Sequence, residues 1–190
     1  LKAGMAIAMC DGSYHTSEKQ VIDNWIKKQI NSFRGANKEI AKAKLKKTYK
    51  TAYYASKGKG AFCNKTRIRV SEIKGLKNSL ICNSFHGGPD LEPKFDQLTL
   101  IRNLYANSLT LRRTGSTALD LAFVAAGKLD AFLGYGMKVW DFAAGALLVR
   151  EAGGFINDFN GEEDVFSSHS IVAGNMACVK AINKEIKSIE

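Results

Sequence analysis

The sequence predicts a layered α/β protein, on three observations. Short apolar strands alternate with longer stretches of helical period from residue 51 onward. The stretch 111–154 holds two apolar helices, each opening on a polar, glycine-flanked turn. The 190 residues are 45% hydrophobic and 24% charged, which is ordinary for a chain with a proper core.

The elements follow in order. Residues 5–9 (Met-Ala-Ile-Ala-Met) read as the end of an apolar helix, and Asp11-Gly12-Ser13 as a turn after it. Glu18, Val21, Ile22, Trp25, Ile26 and Ile30 fall on one helical stripe. The lysine-rich segment 36–50 reads as a helix or linker. Residues 52–55 predict a strand running into a glycine-rich turn, and Arg67-Ile68-Arg69-Val70 alternates like another. Residues 80–82 predict a short strand, 98–104 a helix, and 109–111 a strand. The two signature helices start at Gly115-Ser116-Thr117 and at Trp140-Asp141. Residues 155–159 read as a strand closed by Asn160-Gly161, 170–173 as a last strand, and 177–189 as an amphipathic helix. The expected division is a helical part at 1–34, a basic helix or linker at 35–50, and an α/β part at 51–190.

The net charge of +10 collects between Arg34 and Lys59, at Lys38, Lys42, Lys44, Lys46, Lys47 and Lys50 among others. A solvated basic helix face accounts for it. No aromatic-interleaved or groove-reading element accompanies it, so nucleic acid is not the expected partner. No run approaches the roughly 20 apolar residues of a membrane span, and residues 1–9 carry no cleavage pattern. Cys10, Cys63, Cys82 and Cys178 form no paired motif, as expected of reduced thiols in a cytoplasmic protein. His15, His86 and His169 are too scattered to suggest zinc.

The chemistry lies at the helix starts. A helix N-terminus presents unpaired N–H groups and a positive dipole end, which suit a phosphate. Asp141 is therefore either a cap or a hard oxygen ligand. Gly115, Ser116 and Thr117 make either an ordinary helix start or a substrate turn. Residues 57–64 are glycine-rich, but no Gly-Lys-Ser/Thr opens a helix there, so a structural turn is expected. Arg112 and Arg113 read as surface or interface residues.

Trp140-Asp141-Phe142-Ala143-Ala144-Gly145-Ala146, followed by Glu151-Ala152-Gly153-Gly154, resembles the C-terminal signature of the inositol monophosphatase family. Lys57-Gly58-Lys59-Gly60-Ala61-Phe62-Cys63-Asn64, the run 112–126 and Ile171-Val172-Ala173-Gly174-Asn175 match it in family order, from about residue 48 to the end. The resemblance implies the C-terminal portion of the sugar-phosphatase fold. It implies a hydrolase that splits phosphate monoesters with metal-activated water, using magnesium. Asp141 would hold magnesium and approach the substrate hydroxyl beside the phosphate, while Gly115, Ser116 and Thr117 would contact substrate. Asp120, Asp130 and Glu151 have no matching role, and no residue here is assigned a catalytic one.

Two departures qualify this. Gly134 stands where inositol-selective relatives carry a glutamate that touches the inositol ring. The family's N-terminal glutamate and Asp-Pro-(Ile/Leu)-Asp-Gly-Thr loop have no counterpart. Asp11-Gly12-Ser13 is a weak rival for that loop, with Ala8 and Met9 in place of its first aspartate and proline. Residues 4–18 instead resemble part of the TerB-like helical domains. Family members are longer, so a truncated or rearranged chain is expected, and relatives are commonly homodimers. The first reading is thus a magnesium-dependent hydrolase of inositol 1-phosphate or a related sugar phosphate. The second is an inactive relic that binds anions or proteins. The third is a fusion of a TerB-like start with a phosphatase end.

Overall fold

The computed structural model describes residues 5–9, 51–86 and 95–189. The expected helix around 18–30, the Asp11-Gly12-Ser13 turn and the basic segment 36–50 lie outside the described residues.

A first sheet has the order β1-β2-β3-β4, from β1 (Met5–Met9), β2 (Ala52–Ser56), β3 (Gly60–Cys63) and β4 (Thr66–Arg67). β1 runs parallel to β2, and the other neighbours are antiparallel. The expected helix end at residues 5–9 is therefore corrected to a strand. A five-residue apolar run has no periodicity that separates the two states, and pairing with Ala52–Ser56 decides it. The strand expected over 67–70 is also shorter. After Arg67, the Ile68 N–H still reaches Ala61 O at 2.9 Å, but the Val70 N–H turns to Ala152 O at 3.3 Å.

The second sheet has the order β6-β5-β7-β9-β8, from β5 (Leu80–Phe85), β6 (Thr110–Arg112), β7 (Ala131–Tyr135), β8 (Phe155–Asn157) and β9 (Ser170–Gly174). β5 is parallel to both β6 and β7, and β9 is antiparallel to β7 and β8. β7 was not foreseen as a strand. It is buried along almost its whole length, so it lacks the alternation that marks a half-exposed strand.

Four helices complete the described fold: α1 (Gln97–Asn107), α2 (Thr117–Ala125), α3 (Val139–Glu151) and α4 (Met176–Lys187). Side chains of the second sheet alternate between two cores, as a period of two requires. Ile81, Leu133 and Val172 pack with Leu100 and Leu104 of α1 and with Ile182 and Ile186 of α4. Cys82, Phe132, Ile171 and Ala173 pack instead with α2, α3 and the first sheet's Tyr53, Ala55 and Ala61. The layers are first sheet, α2 and α3, second sheet, α1 and α4. At Gly145 the helices α2 and α3 approach so closely that a Cβ would lie 2.4 Å from the Leu121 Cβ.

Candidate functional site

The parallel strands β5, β6 and β7 end on one edge of the second sheet. From β5 the chain goes on to α1 on one face, and from the neighbouring β6 to α2 on the other. Chain paths that part at adjacent parallel strands open a crevice at their carboxyl ends, the usual ligand position of such sheets. The starts of α2 and α3 both lie at this edge.

Ser116 is the N-cap residue of α2 but makes no side-chain cap hydrogen bond. Its own N–H donates to Thr114 Oγ1 at 3.2 Å, and the Thr114 hydroxyl donates to Asp120 Oδ1 at 2.6 Å. The turn is thus held from below, by a carboxyl in the first turn of the helix it opens. Gly115 lies at its exposed crest with φ +84°, a conformation that favours glycine, and open space where a Cβ would stand. The backbone there is open to close approach by a ligand.

Asp120 is 1% exposed, and its Oδ2 has no hydrogen-bond partner. Burial pushes its carboxyl above the ordinary aspartate range, against hydrogen bonds from Thr114 and Cys82 that pull it down. Burial, with the Asp120 charge second, also pushes the Cys82 thiol up to about 12. Cys82 is an inert core residue.

Thr117, buried at the start of α2, donates to Met137 Sδ at 3.5 Å. Met137 precedes the α3 N-cap residue Lys138, so this contact ties the starts of the two helices together. Asp141 sits in the first turn of α3, and its Oδ2 accepts the Lys138 N–H at 3.1 Å. The structure therefore shows Asp141 reaching back to cap its own helix, half of a capping box.

Across the ladder from Gly134 stands Ser84. A Cβ at Gly134 would meet Met137 Cε at 2.7 Å and Ser84 O at 2.9 Å, so the position has no room for a side chain. The buried Ser84 hydroxyl shares a 3.0 Å hydrogen bond with Nε2 of exposed His86. Arg113 Nη2 donates to Phe85 O at 3.0 Å. Sequence reasoning missed Thr114, Ser84, His86 and Met137 as site residues. Recognition of β7 and its pairing with β5 would have brought Ser84, His86 and Met137 together, whereas Thr114 adjoins the Gly115 turn in sequence.

The remaining expectations find structural roles. Glu151 accepts the Gly58 and Gly60 N–H groups at 2.7 Å each, one on each carboxylate oxygen. The glycine-rich turn is thus structural, as expected. Asp130 Oδ2 accepts the Leu80 N–H at 2.7 Å. A cavity of about 610 Å³ opens on the opposite face of the second sheet, between Phe95, Tyr135, Phe159 and the loop 158–170. Of its three carboxylates, Asp158 accepts from the Glu162 N–H and Asn160 Nδ2, and Asp164 from the Phe166 N–H and the Ser167 hydroxyl.

Among the described residues no group of three or more His, Cys, Asp or Glu could hold a metal ion. Asp141 alone, with one oxygen already engaged, does not fit a magnesium cluster, which needs several oxygen ligands. Among the described residues no helix is long and apolar enough to cross a membrane.

Comparison with known proteins agrees with this fold. The profile of the inositol monophosphatase family matches residues 45–189. The chain is 44% identical over 131 residues to Nus factor SuhB of Pseudomonas aeruginosa, covering 68% of this chain and 48% of that protein. It is 43% identical over 136 residues to an inositol-1-monophosphatase of Mesorhizobium japonicum, covering 71% and 50%. The crystal structure of the extragenic suppressor protein SuhB from Bartonella henselae superposes with a TM-score of 0.65 at 38% identity, covering 71% of this chain and 51% of that one. The chain spans about half the length of the curated relatives it matches. On the family match over residues 45–189 and identities above 40%, the chain belongs to the inositol monophosphatase family.

Proposed function

We propose that this chain carries the substrate side of a magnesium-dependent phosphate-monoester hydrolase acting on inositol 1-phosphate or a related sugar phosphate. The observation that carries the reading is the tie between the two helix starts, Thr117 Oγ1 to Met137 Sδ at 3.5 Å, at the carboxyl ends of the parallel strands. Two dipole ends and the open Gly115 crest converge there, on the edge where such sheets take ligands. In this reading the Gly115-Ser116-Thr117 turn receives the phosphate ester. Asp141, with Oδ2 engaged by the Lys138 N–H, would have its second oxygen free to be one of several magnesium ligands and to approach the hydroxyl beside the ester. Asp141 alone does not complete such a site, and no reaction step is derived through the metal. Magnesium, when bound, would supply the activated water and steady the leaving oxygen.

The test is phosphate release from inositol 1-phosphate with and without magnesium, for the chain beside Asp141→Asn. Release that needs magnesium and disappears in the variant supports the hydrolase. A folded chain with no release above the variant rules hydrolysis out for this chain.

A second reading is supported by the missing metal grouping among the described residues. There the chain is a non-catalytic anion- or protein-binding module, and the name Nus factor carried by a 44% identical relative does not speak of hydrolysis. Phosphate binding without turnover, indifferent to magnesium, is its expected signature.

A further inference from the structure

We infer that His86, steadied by Ser84 and flanked by Arg113, is a specificity-determining residue that receives a second phosphate on the substrate. The inference rests on the phosphate site proposed above and deepens it. Gly134 presents no side chain to this edge, and Met137 Cε and Ser84 O occupy the space a Cβ would need. The polar groups left at the ends of β5 and β6 are instead donors and cations. His86 follows β5, its N–H fixed on Tyr135 O at 2.9 Å and its ring fixed by Ser84 at 3.0 Å. Gly136 lets the backbones close in, since a Cβ there would lie 2.3 Å from His86 O. Arg113 is pinned to Phe85 O, one residue before His86. Both side chains are exposed.

Such a pair serves an acceptor-rich group. A ring hydroxyl contacted by a carboxylate donates to it, and a carboxylate at this edge would repel a second phosphate. With glycine at 134, that repulsion is absent and the ring nitrogen of His86 and the Arg113 guanidinium remain to donate. Asp120 is buried beneath Thr114 and Asp141 caps α3, so each of these carboxylates has an oxygen engaged.

The test titrates the full chain calorimetrically, in magnesium buffer, with inositol 1-phosphate and with inositol 1,4-bisphosphate. The expected result is a preference of about tenfold or more for the bisphosphate, the scale of one charge-assisted hydrogen bond. In His86→Ala and in Arg113→Gln the ratio should fall toward one, with thermal unfolding confirming that each variant is folded. Lys180→Gln, exposed on the far face of the second sheet, controls for net charge and should keep the ratio. A ratio that survives His86→Ala, or falls equally in Lys180→Gln, overturns the inference and leaves the phosphate site standing. Failure of the folded wild type to bind either compound overturns both.

Discussion

The Thr114 hydroxyl donates to Asp120 Oδ1 at 2.6 Å and accepts the Ser116 N–H at 3.2 Å, so a buried carboxyl fixes the turn that opens α2. This arrangement answers two demands at once. In the proposed reading the turn needs a rigid support if its backbone is to meet a ligand, and the support should carry little negative charge toward an anion. Burial pushes the Asp120 carboxyl above the ordinary aspartate range, toward the neutral form, while its Oδ1 supports the turn.

Asp120 thereby makes stability depend on pH. Its folded pKa is raised above the unfolded 3.8, so between those values the folded state binds more protons and stability falls as pH rises. The burial penalty is fully present above the folded pKa. Asp120→Asn keeps an oxygen for Thr114 and removes the titration. Thermal unfolding of both proteins from pH 4 to pH 8 should show a flatter profile for the variant and an equal or higher Tm at the alkaline end. Parallel profiles would mean that Asp120 does not titrate across this range.

Glu151 is the corresponding strut of the first sheet. Each of its oxygens takes one N–H of the Gly58–Gly60 turn, joining the end of α3 to the β2–β3 hairpin. Glu151→Ala leaves both N–H groups without this partner, and each hydrogen bond to a charged group is worth about 1.5–3 kcal/mol. Gly58 is exposed and can turn to water, so the expected loss is about 2–3 kcal/mol by denaturant unfolding. A change within the error of the fit would show the clamp to be ornamental.

Much of this was legible in the sequence, and the failures share a cause. The strands at 52–56 and 170–174, and the helices after Ser116 and before Ala152, carried either periodicity or turn chemistry strong enough to place them. Met5–Met9 and Ala131–Tyr135 are uniformly apolar, and such runs take their state from what they pair with. The same holds for the site. Asp141 and the Gly115 turn announce themselves in local sequence, whereas Ser84 meets Gly134 through sheet register alone. Asp120, Asp130 and Glu151 had no family role to recommend them, and their roles as backbone acceptors and struts appear once the chain is folded.

Register also predicts the behaviour of position 134. Gly134→Glu would restore the residue type of inositol-selective relatives, yet its Cβ would press on Ser84 O, a backbone atom that cannot step aside. Met137 Cε is the far end of a flexible side chain and can move. Overpacking of this kind costs about 1–3 kcal/mol. The variant should unfold at lower denaturant with an unchanged m-value and gain no affinity for inositol 1-phosphate. A stable variant that binds it more tightly would show that the strand can shift to admit the side chain.

Asp141 allows structural and functional roles to be separated at one residue. Its Oδ2 caps α3 through the Lys138 N–H, and loss of a cap costs about 1 kcal/mol. Asp141→Asn retains a carbonyl oxygen for that N–H, whereas Asp141→Ala does not. Unfolding free energies should therefore place Asn near the wild type and Ala about 1 kcal/mol below it. Magnesium-dependent phosphate release should be lost equally in both, because a neutral amide is a poor magnesium ligand. Release that tracks stability, surviving in Asn and fading only in Ala, would reduce Asp141 to a helix cap and move the metal elsewhere.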